Sequence, residues 1–333
     1  MIRFRAFQQS DSDAVRALSR EQYGEDSYQA DVRYFDWLYR ANPSARGSQD
    51  CLVADQDGKI VGAIHRMVLA GHGGSSDKVV LSLQNHFMAP DARSGAGLLL
   101  LKRATRDGDV AFSPGVQGRL AESYRRLDYT EIPGFWFTRP LNAARVVRDL
   151  VGSRFKTRSS FSVRMARLSA RYPDLVLTPD PSAELLDALV AVMVEATSVS
   201  DATRVAWTQD LVRWRYFSQG GPRHLLVYCP RSGDIAVLAF GVRKGVRVVR
   251  VMEMHMRNGT GFIDDVLRVG RSAGAGLALA FTTRPDLARA YEARGFRLRD
   301  NATSTFVSND APVSFDAAAT DVGFEAFGTE MLA

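Results

Sequence analysis

The sequence has few cysteines and no long apolar segment. Only two of its 333 residues are cysteine, Cys51 and Cys229, and neither lies in a Cys-x-x-Cys pair or near a histidine cluster. This scarcity argues against a disulfide framework and against a zinc site, so we predict two free thiols and no bound metal. No apolar run reaches the length that a membrane-spanning helix needs, so no such helix is predicted.

The first residues lack the marks of an export signal, and the positive charge is not concentrated in one place. "MIRFRAFQQSDSD" contains neither an apolar core nor a small-residue cleavage site, which favours a cytoplasmic protein. The net charge is +6, yet the arginines are scattered and no lysine or arginine follows Arg299. We therefore expect no nucleic-acid partner. A distributed positive charge suits a small polyanion such as coenzyme A or a nucleotide sugar.

A glycine-containing loop precedes an amphipathic segment at residues 89–104, "APDARSGAGLLLLKRA". Free amide N–H groups in the first turn of a helix, together with the helix dipole, attract phosphate. Gly95 and Gly97 would let a diphosphate reach those amides without a Cβ atom in the way. A tight turn before a buried helix is the alternative interpretation of the same residues.

The order of the predicted elements occurs twice along the chain. In each half a strand and helices precede an antiparallel meander, a glycine loop with its helix, a buried strand and a helix with the pattern Tyr-x-x-x-Gly/Asp-Phe/Tyr. Trp37 and Trp214 occupy matching places 177 residues apart, and the spacing between Tyr124 and Tyr291 is similar. This repetition predicts two α/β (α+β) domains, each with a mixed, mostly antiparallel central sheet flanked by helices. The first is expected over residues 1–150 and the second over 173–333, with a linker at 151–172.

The element order resembles the GCN5-related N-acetyltransferase (GNAT) superfamily. The residues that carry the resemblance are "MAPDARSGAG" (Met88–Gly97), "SYRRLDY" (Ser123–Tyr129) and "AYEARGF" (Ala290–Phe296). The tandem layout and "WLYRANP" are also similar to bacterial acyltransferases that modify polysaccharides and nucleotide-linked amino sugars. The loop departs from the family pattern at Ala92, where an arginine or glutamine is usual.

The resemblance implies an acyl-CoA cofactor, acetyl-CoA or another acyl-CoA, in the first domain. The predicted cofactor-binding residues are Phe87, Met88, Arg93, Ser94, Gly95, Ala96, Gly97, Leu98 and Lys102. In the second copy Gly259 and Gly261 stand in the corresponding place. Asp264 and Asp265 follow them in the first turn of the helix and would repel a diphosphate. We therefore predict one cofactor site, in the first domain.

Acyl transfer to an amine requires a donor for the developing oxyanion and a proton or strong solvation for the leaving thiolate. Tyr124 lies where the family often places the tyrosine that protonates the thiolate, and a buried core tyrosine is the alternative. Family geometry also implies that the backbone amide of Met88 stabilises the oxyanion.

The amine must also lose a proton, and three side chains are candidates for the base. His86, in the predicted strand "LSLQNHFM", has an intrinsic pKa suited to this role, although a buried structural histidine is the alternative. Strand alternation predicts that His86 lies on the same face as Gln84. Glu253 and His255, in "VMEMHM", share a face of the corresponding second-domain strand and are candidates for the base or for acceptor binding.

The resemblance, together with these residues, implies an acyl-CoA-dependent N-acyltransferase in which a primary amine attacks the thioester directly. The acceptor is expected to be a small-molecule amine, with an amino sugar on a nucleotide or polysaccharide precursor as the leading class. Two alternatives remain open. One is an N-acetyltransferase of amino acids, peptides or antibiotics, and the other is a non-catalytic acyl-CoA sensor or scaffold.

Overall fold

The computed structural model describes residues 1–24, 30–47, 50–73, 76–92, 95–116, 118–153, 163–197, 203–218, 224–257, 259–299 and 303–308. They form two compact units, each of which draws on both halves of the chain. Unit 1 contains the described residues of Met1–Ile132, Ser198–Trp214 and Ser304–Gly323, and unit 2 contains those of Pro133–Thr197 and Arg215–Thr303. The division of the chain into two continuous domains, 1–150 and 173–333, stays a prediction.

The first half of the chain contributes long strands and five helices to the described structure. Its strands are β1 (Ile2–Ala6), β2 (Cys51–Gln56), β3 (Lys59–Gly73), β4 (Ser76–Met88), β5 (Val110–Val116) and β6 (Thr130–Pro140). Its α-helices are α1 (Ser12–Tyr23), α2 (Val32–Asp36), α3 (Ala96–Ala104), α4 (Gly118–Arg126) and α5 (Ala143–Ser153). A wide turn of π type, Trp37–Ala41, continues α2, and short 3₁₀ turns lie at Gln9–Asp11 and Pro90–Ala92.

The second half follows the same order with shorter strands. Its strands are β7 (Val176–Thr178), β8 (Arg204–Val205), β9 (His224–Cys229), β10 (Asp234–Arg243), β11 (Val246–His255), β12 (Leu277–Thr282), β13 (Arg297–Leu298) and β14 (Thr303–Val307). Its α-helices are α6 (Met165–Arg171), α7 (Ala183–Thr197), α8 (Gln209–Val212), α9 (Gly261–Ala273) and α10 (Pro285–Ala293). A second wide turn of π type, Arg213–Phe217, follows α8.

The sheet of unit 1 is mixed. Its strand order is β1-β2-β3-β4-β5-β14, and the short strand β8 pairs with β3. β4 and β5 run parallel, whereas the other described pairs are antiparallel. One apolar core covers this sheet, and it includes Leu100 and Leu101 of α3 and Tyr124 of α4. α3 follows β4 in the chain, and α4 follows β5. Both helices bury their apolar side chains against the sheet.

The sheet of unit 2 has the same plan. Its strand order is β7-β9-β10-β11-β12-β6, and β13 also pairs with β6. The parallel pair is β11 and β12, and α9 buries Phe262, Ile263 and Val266 in its core. β6 lies antiparallel to β12 just as β14 lies antiparallel to β5, so each sheet is completed by a strand from the other half of the chain. The predicted fold class, mixed and mostly antiparallel sheets flanked by helices, is confirmed.

Two tryptophans join the second-half segment of unit 1 to its first-half residues. The indole Nε1 of Trp37 donates to the carbonyl oxygen of Trp214 at 3.0 Å, and Nε1 of Trp214 donates to the carbonyl oxygen of Trp37 at 2.8 Å. The rings stack with their centroids 4.4 Å apart, and both side chains are buried. A matched pair of motifs therefore forms a reciprocal contact in which both indole donors are satisfied.

We expect Trp214→Phe to lower the free energy of unfolding by about 1–3 kcal/mol, because the carbonyl of Trp37 loses its indole donor in a buried place. Urea unfolding measures this change. Val32→Ala alters a half-exposed side chain of α2 and is the control, with an expected change within about 0.5 kcal/mol. Equal stability of the Trp214→Phe and wild-type proteins would show that the reciprocal bonds contribute nothing.

Candidate active site

Strand β4 contains one extra residue near its end. In the register with β3, Asn85 and His86 together face the single residue Ile64. Asn85 has a φ of 50°, a left-handed conformation that asparagine adopts more readily than most residues. Its Nδ2 donates to the hydroxyl of Tyr34 at 2.6 Å. This β-bulge bends the strand and redirects the side chains that follow it.

The bulge reverses the side-chain alternation of β4. Leu83, before the bulge, and Met88, after it, both enter the apolar core of unit 1, although regular alternation would put residues an odd number of positions apart on opposite faces. Gln84 lies on the opposite face from Leu83, where its Nε2 donates to Ser82 Oγ at 3.3 Å. His86 instead faces α3. The expectation that Gln84 and His86 share a face is therefore wrong, and the inserted residue is the cause.

Helix α3 begins against the end of β4. A Cβ atom on Gly97 would lie 3.2 Å from Met88 Cγ and 3.5 Å from His86 Nε2, so a side chain there would crowd the strand. At Gly95, with φ of 79°, a Cβ would meet no atom within 4 Å. Gly97 thus permits the close approach of helix and strand, and Gly95 supplies the positive φ of the turn before the helix. The structure brings the predicted residues Met88, His86, Gly95 and Gly97 together.

The other predicted cofactor residues lie at different places around this helix. Ala96 is buried in the first turn, and the amide of Leu98 donates to the carbonyl of Gly95 at 3.1 Å. The first turn carries no acidic residue, and Lys102 lies in the last turn. Arg93 and Ser94 lie outside the described residues. The backbone amides of Ala96 and Gly97 are therefore the ones best placed to meet an anion.

β4 and β5 part before either strand ends. Within the described residues their parallel register covers only Val80–Ser82 and Val110–Phe112. β4 continues to Met88 in register with β3, and β5 continues to Val116 beside β14. The second halves of β4 and β5 are therefore not paired with each other. We call the space between them the β4–β5 opening; its narrow end is where the pairing stops, and α3 follows the far end of β4.

Tyr124 and Ser113 meet at the narrow end of this opening. Tyr124 is 0% exposed, and its hydroxyl donates to Ser113 Oγ at 2.7 Å. Ser113 Oγ in turn donates to the carbonyl oxygen of Leu83 at 3.3 Å. Burial raises the pKa of the Tyr124 phenol, which the bond to Ser113 only partly offsets. Ser113 was not among the predicted site residues, although it is the polar side chain of the otherwise apolar segment Val110–Ser113 of β5.

The His86 imidazole is neutral in the folded protein. Burial lowers its pKa to about 4, an effect that the nearby Gly97 backbone partly opposes. Burial likewise lowers the pKa of His65 to about 3, and its Nδ1 bonds to the hydroxyl of Tyr39 at 2.5 Å. His86 is thus in the state that a base requires at neutral pH, but it binds a proton more weakly than an ordinary imidazole. Its role as the base stays a prediction.

Unit 2 has a comparable bulge in β11. Glu253 faces Val237 and Val251 faces Leu238, so the residue between them is inserted. The hydroxyl of Tyr216 donates to one carboxylate oxygen of Glu253, and His255 Nε2 lies 3.4 Å from the other. The structure therefore brings the predicted pair Glu253 and His255 together. Both carboxylate oxygens already have neighbours, and the role of the pair as base or acceptor-binding group stays a prediction.

The start of α9 differs in charge from the start of α3. Gly259 has φ of 77°, close to that of Gly95. Arg294, however, forms an ion pair with Asp264 in the first turn, and its Nη2 donates to Thr260 Oγ1 at 2.8 Å. A diphosphate at this helix would have to displace an ion pair and approach a carboxylate, whereas α3 presents neither obstacle.

A pocket lies beside the end of β4, on the side of α1. It is lined by Leu18, Glu21, Gln22, Phe87, Met88, Ala89 and Pro90. The lining combines apolar side chains with the exposed carboxylate of Glu21, which would attract a cationic group. Phe87 and Met88 of this pocket are among the predicted cofactor-binding residues, whereas its α1 residues were not predicted.

Comparison with known proteins shows similarity of fold without similarity of sequence. No family model matches the chain, and no curated protein matches it by sequence. N-myristoyltransferase of Saccharomyces cerevisiae with bound myristoyl-CoA superposes with a TM-score of 0.61 and 13% identity, over 99% of this chain and 89% of that one. A GCN5-related N-acetyltransferase of Anabaena variabilis gives 0.59 and 8%, over 92% and 72%. One of Kribbella flavida gives 0.56 and 13%, over 92% and 71%.

These similarities define the class of fold. The chain has the GNAT-like α/β fold over nearly its whole length, as the resemblance in sequence implied. In the part of the chain that the structure describes, no helix combines the length and the apolarity needed to cross a bilayer.

The buried histidines predict a dependence of stability on pH. Both imidazoles have a folded-state pKa below the unfolded value of about 6.5, so the unfolded chain binds more protons as the pH falls from 6.5 towards 4. The free energy of unfolding should therefore decrease across this window, by up to about 1.4 kcal/mol per pH unit for each histidine. His86→Gln should reduce that slope by about half between pH 6.5 and pH 4. Above pH 7 the pH dependence of the unfolding free energy should be the same as in the wild type. Urea unfolding at several pH values measures the slope, and an unchanged slope in the variant would contradict the burial of a neutral His86.

Proposed function

We propose that this chain is an acyl-CoA-dependent N-acyltransferase whose cofactor site lies in unit 1. The observation that carries the proposal is the opening between β4 and β5, which leads from Ser113 to the glycine-preceded start of α3. In unit 2 the same strand order ends at a helix start that already holds an ion pair.

The residues at the start of α3 fit a diphosphate. The amides of Ala96 and Gly97 lie in the first turn, where the helix dipole favours an anion and no acidic residue opposes it. Gly97 has no side chain, and a Cβ there would crowd Met88 and His86. Lys102 and the predicted Arg93 and Ser94 remain proposed contributors to phosphate binding.

The opening between β4 and β5 fits an extended, amide-containing arm. The phosphopantetheine part of an acyl-CoA is such an arm, and it can form hydrogen bonds beside a strand edge as a peptide does. From Met88 back to Leu83 the strand covers roughly 17 Å at about 3.3 Å per residue. A diphosphate at α3 would therefore place the thioester near Leu83 and Ser113, at the narrow end of the opening.

The reaction that this arrangement supports is direct transfer of the acyl group to an amine. The amine nitrogen attacks the thioester carbonyl carbon, and the carbon–sulfur bond then breaks with its electron pair on sulfur. His86 stays the proposed base, and Glu253 and His255 of unit 2 stay predicted candidates for the base or for acceptor binding. Tyr124 and Ser113 lie at the end of the opening proposed for the leaving sulfur. The Met88 amide lies at the diphosphate end, so the oxyanion role that the resemblance implied for it does not fit a thioester near Ser113. Both cysteines lie away from α3 in sequence, so no covalent acyl-enzyme is part of the proposal.

Two further observations support the proposal. The fold is similar to those of two GCN5-related N-acetyltransferases and of an N-myristoyltransferase that holds myristoyl-CoA. The pocket beside β4 places the carboxylate of Glu21 near Phe87 and Met88, where it would attract an amine acceptor. The acceptor is proposed to be a primary amine, with nucleotide-linked amino sugars as the first class to screen and peptides or amino acids as the next.

Gly95→Glu tests the position of the cofactor site. We expect the introduced carboxylate to weaken acetyl-CoA binding by at least about 100-fold, because it repels a diphosphate at the same helix start. Calorimetric titration of the purified protein with acetyl-CoA measures the affinity and the number of sites per chain.

Gly259→Glu is the matched control for this experiment. Gly95 and Gly259 have nearly equal positive φ, and a Cβ at either residue meets no atom within 4 Å, so the backbone strain is alike in both variants. Affinity should be unchanged in Gly259→Glu. Loss of binding in Gly259→Glu alone would place the cofactor in unit 2, and binding by the wild type without release of coenzyme A to any amine would favour a sensor.

A further inference from the structure

We propose that Ser113 is the hydrogen-bond donor to the leaving sulfur and that Tyr124 is a positioning residue that acts through Ser113. This inference rests on the proposed function, since it requires the thioester to lie at the narrow end of the β4–β5 opening. It differs from the sequence expectation, in which Tyr124 meets the thiolate itself.

Exposure separates the two hydroxyl groups. Tyr124 is 0% exposed and is enclosed by Tyr129 and Phe306, whose ring centroids lie 5.0 Å and 5.1 Å from its own. Ser113 is 6% exposed and belongs to β5, the strand that forms one side of the opening. Ser113 therefore keeps a small exposed surface on a strand beside the opening, whereas Tyr124 is separated from the opening by Ser113.

The direction of the hydrogen bonds supports the same order. Tyr124 donates to Ser113 Oγ at 2.7 Å, which leaves the serine hydrogen to point away from the phenol. Ser113 directs that hydrogen to the carbonyl oxygen of Leu83 at 3.3 Å, which is long for a bond between two oxygens. A sulfur that develops negative charge beside Ser113 would be the better acceptor, because hydrogen bonds to charged groups are stronger.

The proton balance also favours Ser113 as a donor and not Tyr124 as an acid. Burial raises the pKa of the Tyr124 phenol, so transfer of its proton would leave a phenolate in a buried apolar place. In the proposed step the carbon–sulfur bond breaks, its electron pair stays on sulfur, and Ser113 solvates the thiolate without losing its proton. The proton that the amine gives up reaches sulfur later, through water. The bond from Tyr124 polarises Ser113 and strengthens its donor.

The test is the pKa of the coenzyme A thiol when it is bound to the protein. Ultraviolet absorbance of the thiolate, followed as a function of pH, reports it without need of an acceptor amine. We expect Ser113→Ala to raise this pKa by about one unit, which is a tenfold smaller thiolate fraction at a given pH. Ser113→Thr keeps the hydroxyl and should restore most of the shift. A merely structural serine would not change the thiol pKa in this way.

Desulfo-coenzyme A, which lacks the sulfur, is the matched ligand. Its affinity should be equal in the wild type and Ser113→Ala, because the rest of the cofactor site is unaltered. Tyr124→Phe should raise the thiol pKa less than Ser113→Ala does, and adding Tyr124→Phe to Ser113→Ala should have no further effect.

The outcomes separate the inference from the proposed function. If the wild type binds neither coenzyme A nor acetyl-CoA, both are overturned. If it binds and Ser113→Ala leaves the thiol pKa unchanged, the inference alone is overturned. If Tyr124→Phe raises the thiol pKa as much as Ser113→Ala and the two effects add, Tyr124 acts on the sulfur independently of Ser113 and its assignment as a positioning residue is wrong.

Discussion

The single residue inserted in β4 is the constraint on which the site of unit 1 depends. With Asn85 at positive φ, the strand turns His86 and Met88 towards α3 while Leu83 still faces the same core. The last residue of β4 that pairs with β5 is Ser82, so the two parallel strands part shortly before the bulge at Asn85. The Asn85 side chain is bonded to Tyr34, which holds the strained residue in place. Without this insertion β4 would continue as a regular strand and the start of α3 would meet different side chains.

The two units share one arrangement of strands and helices but differ in the charged residues at the start of the helix after the bulged strand. Each sheet has the same strand order, a bulge in the strand before a glycine turn and a helix that begins at that turn. In unit 1 the first turn of α3 is free of acidic residues, whereas in unit 2 Asp264 and Arg294 form an ion pair at the start of α9. β6 and β14 each complete the sheet of the other half of the chain, so the halves of the sequence depend on each other for folding.

Much of the fold could be predicted from sequence because local signals agree with it. Alternating apolar residues indicate strands, turn glycines indicate the ends of elements, and the run Gly95–Ala104 indicates a helix. Each of these signals depends only on residues close together in sequence. The bulge could not be derived in that way, since register is decided by pairing with β3, although an asparagine within a strand was a usable signal. The contact of Ser113 with Tyr124 and Leu83 joins three elements, so no spacing along the chain reports it. For the same reason the reciprocal bonds of Trp37 and Trp214 were visible in sequence only as a repeated motif.

A crystal structure of the protein with bound coenzyme A would locate the cofactor. We expect the diphosphate to lie against the amides of Ala96 and Gly97, the pantetheine arm between β4 and β5, and the sulfur within hydrogen-bond distance of Ser113 Oγ. A diphosphate bound at the start of α9, or coenzyme A bound anywhere other than the β4–β5 opening, would contradict this expectation.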